Sequence, residues 1–150
     1  MTRFIVLAGI ILLFTGCRWE DHPSNDNPTD EIDEVGLLTA GQLDKLPMDL
    51  FRMDTAFVDG DSLRLMVSYS GGCEVHEFRL WKLPAQPVEN PPVELLLAHN
   101  ANGDMCEAWI TRWLSFSLAP LRMDGIHEVT FLLRGSPEMS AYYGQFTYSY

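Results

Sequence analysis

Basic residues are scarce in this chain: 10 Lys and Arg stand against 21 Asp and Glu, a formal charge of −11. So little positive charge argues against nucleic acid as a partner, because such binding rests on neutralising phosphates. No basic amphipathic helix is present, which argues equally against peripheral binding to anionic lipid. Cysteine is limited to Cys17, Cys73 and Cys106. No apolar run reaches the roughly 20 residues of a spanning helix; the longest, Phe4 to Phe14, is too short. Gly-x-Ser-x-Gly, His-Glu-x-x-His and Walker sequences are missing, and with them the strong catalytic signatures. No internal repeat is visible.

What stands at the N-terminus is an address. Arg3, the apolar run Phe4 to Phe14 and then Thr15-Gly16-Cys17 have the charged start, hydrophobic centre and small cut-site residue of a secretory signal. The ending Leu13-Phe14-Thr15-Gly16-Cys17 resembles the lipobox of bacterial lipoproteins, with Phe14 where that family usually carries Leu. The resemblance implies removal of residues 1–16, acylation of Cys17 with chains such as palmitate, and attachment to the outer membrane. Each buried methylene of such a chain contributes about 0.8 kcal/mol, and two or more chains make the anchor stable. The membrane is then a partner through lipid alone.

Cleavage would remove one arginine and no acid, leaving 21 acidic and 9 basic residues and a formal charge of −12. Residues 17–36 read as an acidic tether: Glu20, Asp21, Asp26, Asp30, Glu31, Asp33 and Glu34 are interspersed with Pro23 and Pro28. Low hydrophobicity with charge of one sign does not offset the entropy of ordering. Acids close behind the lipidated cysteine also resemble surface-export signals of Bacteroidetes lipoproteins. The periplasmic face and the cell surface both remain open.

Residues 37–150 read as a single domain. Thr39-Ala40-Gly41-Gln42 has the form of a capping box and Pro47 a stop, which predicts one short helix over residues 40–46. Beyond Asp54 the period changes to two. Leu63, Leu65, Val67 and Tyr69 alternate with polar or smaller residues, as do His76, Phe78 and Leu80. Val93 to His99, then Leu114, Phe116 and Leu118, then Val129, Phe131 and Leu133, and finally Phe146, Tyr148 and Tyr150 continue the pattern. Asp59-Gly60-Asp61 reads as a hairpin turn. About seven short strands between turn signals predict an all-β, antiparallel sandwich. Residues 106–112 are ambiguous between strand and helical turn.

In an exported chain the two cysteines left after lipidation form one disulfide, Cys73–Cys106. Closing a loop of about 32 residues contributes roughly 3–4 kcal/mol in the chain-entropy model. Cys73, His76, His99 and Cys106 together would also make a structural zinc set, which oxidation of the thiols disfavours. His76, His99 and Asp104 form a candidate metal set without the cysteines. Asn100, Asn102 and Asp104 have the oxygen-rich spacing of a calcium loop but lack its distal Glu, and a plain Asn-Gly-Asp turn, which needs no ion, is the favoured reading. No cofactor is called for.

Three further stretches carry a resemblance. Gly71-Gly72-Cys73-Glu74-Val75-His76-Glu77-Phe78, then Asp104-Met105-Cys106, then Phe116-Ser117-Leu118-Ala119-Pro120-Leu121 are similar, in order, to a family of small uncharacterised bacterial lipoproteins of Bacteroidetes type. The likeness spans about residues 54–134. It implies the fold and the disulfide, and transfers no catalytic residue.

Two functions follow as expectations. The first is a non-catalytic cell-envelope binding or interaction module, with an envelope protein or a glycan as ligand. Trp81, Trp109 and Trp113, with Tyr142 and Tyr143, are the candidate binding aromatics, since such rings suit flat ligands with apolar faces. The alternative is a small metal-dependent or hydrolytic envelope enzyme centred on His76, beside Glu74 and Glu77. The face His76 shares with Phe78 and Leu80 favours a buried, hydrogen-bonded imidazole over a catalytic one.

Overall fold

The computed structural model describes residues 32–89, 91–135 and 143–150. Among them nine strands run in chain order: β1 (Ile32–Glu34), β2 (Gly36–Leu37), β3 (Arg52–Asp59), β4 (Ser62–Gly71), β5 (Glu77–Lys82), β6 (Val93–Asn100), β7 (Ala108–Ser117), β8 (Glu128–Arg134) and β9 (Gly144–Ser149). They form two sheets, one in the order β1-β7-β4-β3 and the other β2-β5-β6-β8-β9. The all-β sandwich expected from the alternation is the arrangement found.

Three details differ from the expectation. The sheets are mixed, because β1 on β7, β2 on β5 and β6 on β8 run parallel. The strand number is nine because residues 32–36, counted within the tether, form with Leu37 two short strands, one on each sheet. Val35 between them is buried, so this acidic stretch crosses from sheet to sheet on an apolar anchor that its composition obscures. The short helix is a 3-10 turn, Ala40–Lys45. Its entry is capped as expected, with the Thr39 N–H donating to Gln42 Oε1 at 3.1 Å, and a segment this short does not gain enough bonds to propagate as an α-helix.

The core follows from strand parity. Leu63, Leu65, Val67 and Tyr69 on β4 face Phe78 and Leu80 on β5, Leu95 and Leu97 on β6, and Phe131 and Leu133 on β8, all buried. β6 is buried on both faces from Glu94 to His99, as its near-continuous apolar run and its place between two other strands require. Gly60, at φ +55°, opens the two-residue hairpin between β3 and β4. Asp61 beside it accepts hydrogen bonds from Arg122 and Tyr148 and ties the turn to the end of β9. A bulge between Met53 and Thr55 reverses the parity of β3. As a result Ala56 and Val58 pack on the core and Phe57 turns outward.

Candidate functional sites

One end of the sandwich gathers the residues that look chemical. Cys73 and Cys106 are joined in a disulfide with Cα atoms 5.9 Å apart, within the usual range. Beneath it the Asp104 carboxylate is wholly shielded. Its Oδ2 accepts the amides of Gly72, Cys73 and Glu74 at 2.8, 2.9 and 2.9 Å. Its Oδ1 accepts the Cys106 amide at 2.8 Å. These donors, Glu74 and Cys106 foremost, hold the carboxyl well below the usual carboxylate range. The two glycines have separate causes. A Cβ on Gly71 would collide with the His76 ring, whereas Gly72 sits at φ +121°, where side chains are strained.

From Asp104 a hydrogen-bonded chain runs inward. His76 Nε2 lies 3.2 Å from Asp104 Oδ2, His76 Nδ1 lies 2.8 Å from His99 Nε2, and His99 Nδ1 lies 3.1 Å from the Asp49 carbonyl. Both rings are buried, and they stack between Tyr69 and Phe78 with centroids 4.4 and 4.3 Å apart. The chain has an acceptor at each end and three contacts, but two neutral imidazoles carry only two N–H groups. Burial pushes His99 below the ordinary histidine range. The ionised Asp104 therefore takes the His76 Nε2 proton, and His99 donates through Nε2 to His76 Nδ1. His99 Nδ1 then faces the Asp49 carbonyl without a proton to share, while the Asp104 carboxylate accepts four amides and the His76 N–H and is shielded from solvent.

That geometry bears on the metal readings. An Asp104 oxygen and the Cys73 and Cys106 sulfurs lie within 4.8 Å of one another, yet those sulfurs are bonded to each other. In His76, His99 and Asp104 the ligand atoms that a metal would need point at one another. The Asn100–Asp104 loop likewise spends its oxygens internally. Asn102 accepts from Asn100, Asn102 Nδ2 donates to the Val75 carbonyl at 2.6 Å, and Asn102 and Gly103 adopt φ of +52° and +74°. It is a turn.

The second site is the outer face of the four-stranded sheet. Trp109, Thr111 and Trp113 point outward from β7, opposite Ser70, Ser68 and Met66 of β4. Trp109 is 62% exposed and Trp113 45%. The Arg52 guanidinium lies 5.4 Å from the Trp109 ring centre, and Phe57 meets Trp113 edge-on at 5.9 Å. Between the two indoles a polar row crosses three strands: Arg52 pairs with Asp54, Asp54 accepts from the Ser68 hydroxyl, and Ser68 and Thr111 share a hydrogen bond of 2.7 Å. The Ser68 bond is the main cause that holds the Asp54 carboxyl below its usual range. Leu50, Arg52, Ser70 and Trp109 rim a shallow depression of about 310 Å3.

The structure thus brings Trp109 and Trp113 together and leaves Trp81 apart. Trp81 is on β5 of the other sheet, half-buried, its ring pressed over Gly36 where no side chain fits. Tyr143 packs against the core, and Tyr142 and Cys17 lie outside the described residues. Arg52 and Phe57 are new members of the face. The alternation of Ala56 and Val58 with Thr55 and Phe57 is the signal that places Phe57 outward.

No protein-family model matches the chain, and no curated protein matches it in sequence. Solved structures do. A protein of unknown function from Bacteroides vulgatus aligns at TM-score 0.57 and 14% identity, covering 79% of this chain and 56% of its own. A NigD-like immunity protein from Bacteroides caccae aligns at 0.55 and 19%, covering 68% and 52%. A putative toxin-related protein from Parabacteroides distasonis aligns at 0.59 and 20%, covering 79% and 61%. The likeness is one of fold. The chain spans only between 52% and 61% of those proteins' lengths. Among the described residues no helix is long and apolar enough to cross a membrane.

Proposed function

We propose that the chain is a non-catalytic binding module of the cell envelope, anchored in the outer membrane through acylated Cys17 and presenting the Trp109–Trp113 face to its ligand. One contrast carries the reading. The titratable groups that would serve an enzyme are buried and spent on each other, while two indoles of the outer sheet face stand in solvent. Exposed aromatics of this size are the side chains that dominate binding energetics elsewhere, and catalysis needs a converging, accessible polar site. The names carried by the Bacteroides caccae and Parabacteroides distasonis neighbours, immunity and toxin-related, are compatible with a binding role.

Two measurements test this. Intact-mass analysis of membrane-extracted protein should show residues 1–16 removed and acyl mass on Cys17; a product beginning elsewhere contradicts the anchor. For the face, mature protein in detergent is mixed with solubilised envelope and its tryptophan fluorescence quenched with iodide. Protection that disappears in the double variant Trp109→Phe/Trp113→Phe supports the module. Protection unchanged in that variant, or none at all, contradicts it.

A further inference from the structure

The outer face of the four-stranded sheet is aromatic at its flanks and polar at its centre, and that order selects a ligand. Trp109 and Trp113 are four residues apart on one strand, so at about 3.3 Å per residue they stand roughly 13 Å apart. Thr111 lies midway on the same face, and its hydroxyl joins Ser68, Asp54 and Arg52 in one hydrogen-bonded row across β7, β4 and β3. A protein hot spot has the opposite layout, an apolar anchor at the centre within a polar rim. A pyranose chain matches what is here. Its sugar rings offer C–H faces to stack on indoles, and its equatorial hydroxyls both donate and accept.

Two more observations narrow the ligand. The polar row contains one guanidinium and one carboxylate already paired, so the centre of the face carries no net charge to attract an ion. The chain as a whole has a formal charge of −11, which repels polyanions at long range. Arg52 lies 5.4 Å from the Trp109 ring centre, at the rim of the depression beside Leu50 and Ser70.

Resting on the binding-module reading, we infer that this face binds a neutral oligosaccharide, with one sugar ring stacked on Trp109, another on Trp113, and the intervening hydroxyls bonded to Thr111, Ser68 and the Arg52–Asp54 pair.

The test is calorimetric titration of the mature, detergent-solubilised protein with maltohexaose, cellohexaose, xylohexaose and mannohexaose, and with hexagalacturonate as the charged contrast. The expected result is binding of at least one neutral hexasaccharide and none of hexagalacturonate. Trp109→Ala and Trp113→Ala should each weaken that binding by about tenfold or more. Trp113→Phe, which keeps a ring, should recover part of it, and Thr111→Val should lose several-fold. Each variant is checked for an unchanged melting profile, so that loss of binding is separated from loss of fold. Binding of no hexasaccharide, binding that prefers hexagalacturonate, or binding indifferent to both tryptophans overturns the saccharide. The iodide experiment separates the levels. Indoles protected by envelope but by no hexasaccharide leave the module standing with another ligand, and indoles protected by neither bring both readings down.

Discussion

The disulfide end of the sandwich and the outer face of its four-stranded sheet are opposites in composition and in accessibility. The first collects Asp104, His76, His99 and a cystine, and it seals the carboxylate and both imidazoles beneath a cystine that is itself partly exposed. Asp104 answers four backbone amides, and the imidazoles are stacked between Tyr69 and Phe78. The second is built from indoles, hydroxyls and one ion pair, and it leaves the rings exposed. Residue type alone would reverse the two, with the histidines taken for chemistry and the tryptophans for packing. What separates them is whether each polar atom already has a partner: a satisfied, buried group is structural, and an exposed ring over a polar row has surface to offer.

Breaking the sealed end should cost the most. Replacing Cys73 and Cys106 with serine should lower unfolding free energy by about 3–4 kcal/mol, read by urea denaturation of the mature protein, with affinity of the folded fraction unchanged. A loss below about 1 kcal/mol would mean that the cross-link does not constrain the unfolded chain as the chain-entropy model requires. Asp104→Asn comes next, because an amide cannot replace a carboxylate that accepts from four amides and His76. Its melting temperature should fall on the order of 10 °C, and a melt superimposable on wild type would show the clasp to be dispensable.

Acid sharpens the contrast further. Burial holds His99 neutral below its ordinary value of 6.5, so below that pH the unfolded chain binds the extra proton and the folded chain resists it. Stability is then full above about pH 6.5 and declines as pH falls toward the lowered folded value. Asp104, whose folded carboxyl is shifted down, adds its own loss at lower pH still, when the folded carboxylate finally protonates. The expected observation is a melting temperature that drops between pH 7 and 5, with the drop much reduced in His99→Gln. A drop of equal size in that variant would place the titration elsewhere. Binding at the aromatic face should stay level across the same window, since Asp54 is held ionised and Arg52 keeps its charge.

The smallest effect on stability should come from the open face. Trp109→Ala removes a ring that is mostly in solvent and should shift unfolding free energy by less than about 1 kcal/mol. A larger loss would make Trp109 part of the packing and remove it from the binding surface.

Much of this was legible in the residues. Leu63 to Tyr69 and Val129 to Leu133 alternate cleanly because each has one face on the core, and parity shows that directly. Gly60 marks its hairpin for the same local reason. Residues 32–37 were not legible as strands, because Asp33 and Glu34 continue the acids of the tether and the run is too short to show a period, although Val35 is buried. The parallel pairings were hidden too, since strand periodicity does not encode which neighbour a strand finds. Of the site, Cys73 with Cys106, and His76 with His99 and Asp104, stood out as groups, but their closure depends on distances that no spacing reveals. Phe57 could be placed from its alternation with Ala56 and Val58, whereas Arg52 was hidden because the bulge between Met53 and Thr55 breaks the parity of β3.

The account is tested most directly by measuring hexasaccharide affinity in Trp113→Ala beside His76→Gln, at a temperature below both melting transitions. It predicts that Trp113→Ala stays folded and loses affinity by about tenfold or more. His76→Gln should melt earlier while its folded fraction binds within a few-fold of wild type. A His76→Gln protein that keeps its stability and loses binding, beside a Trp113→Ala protein that binds normally, would contradict it.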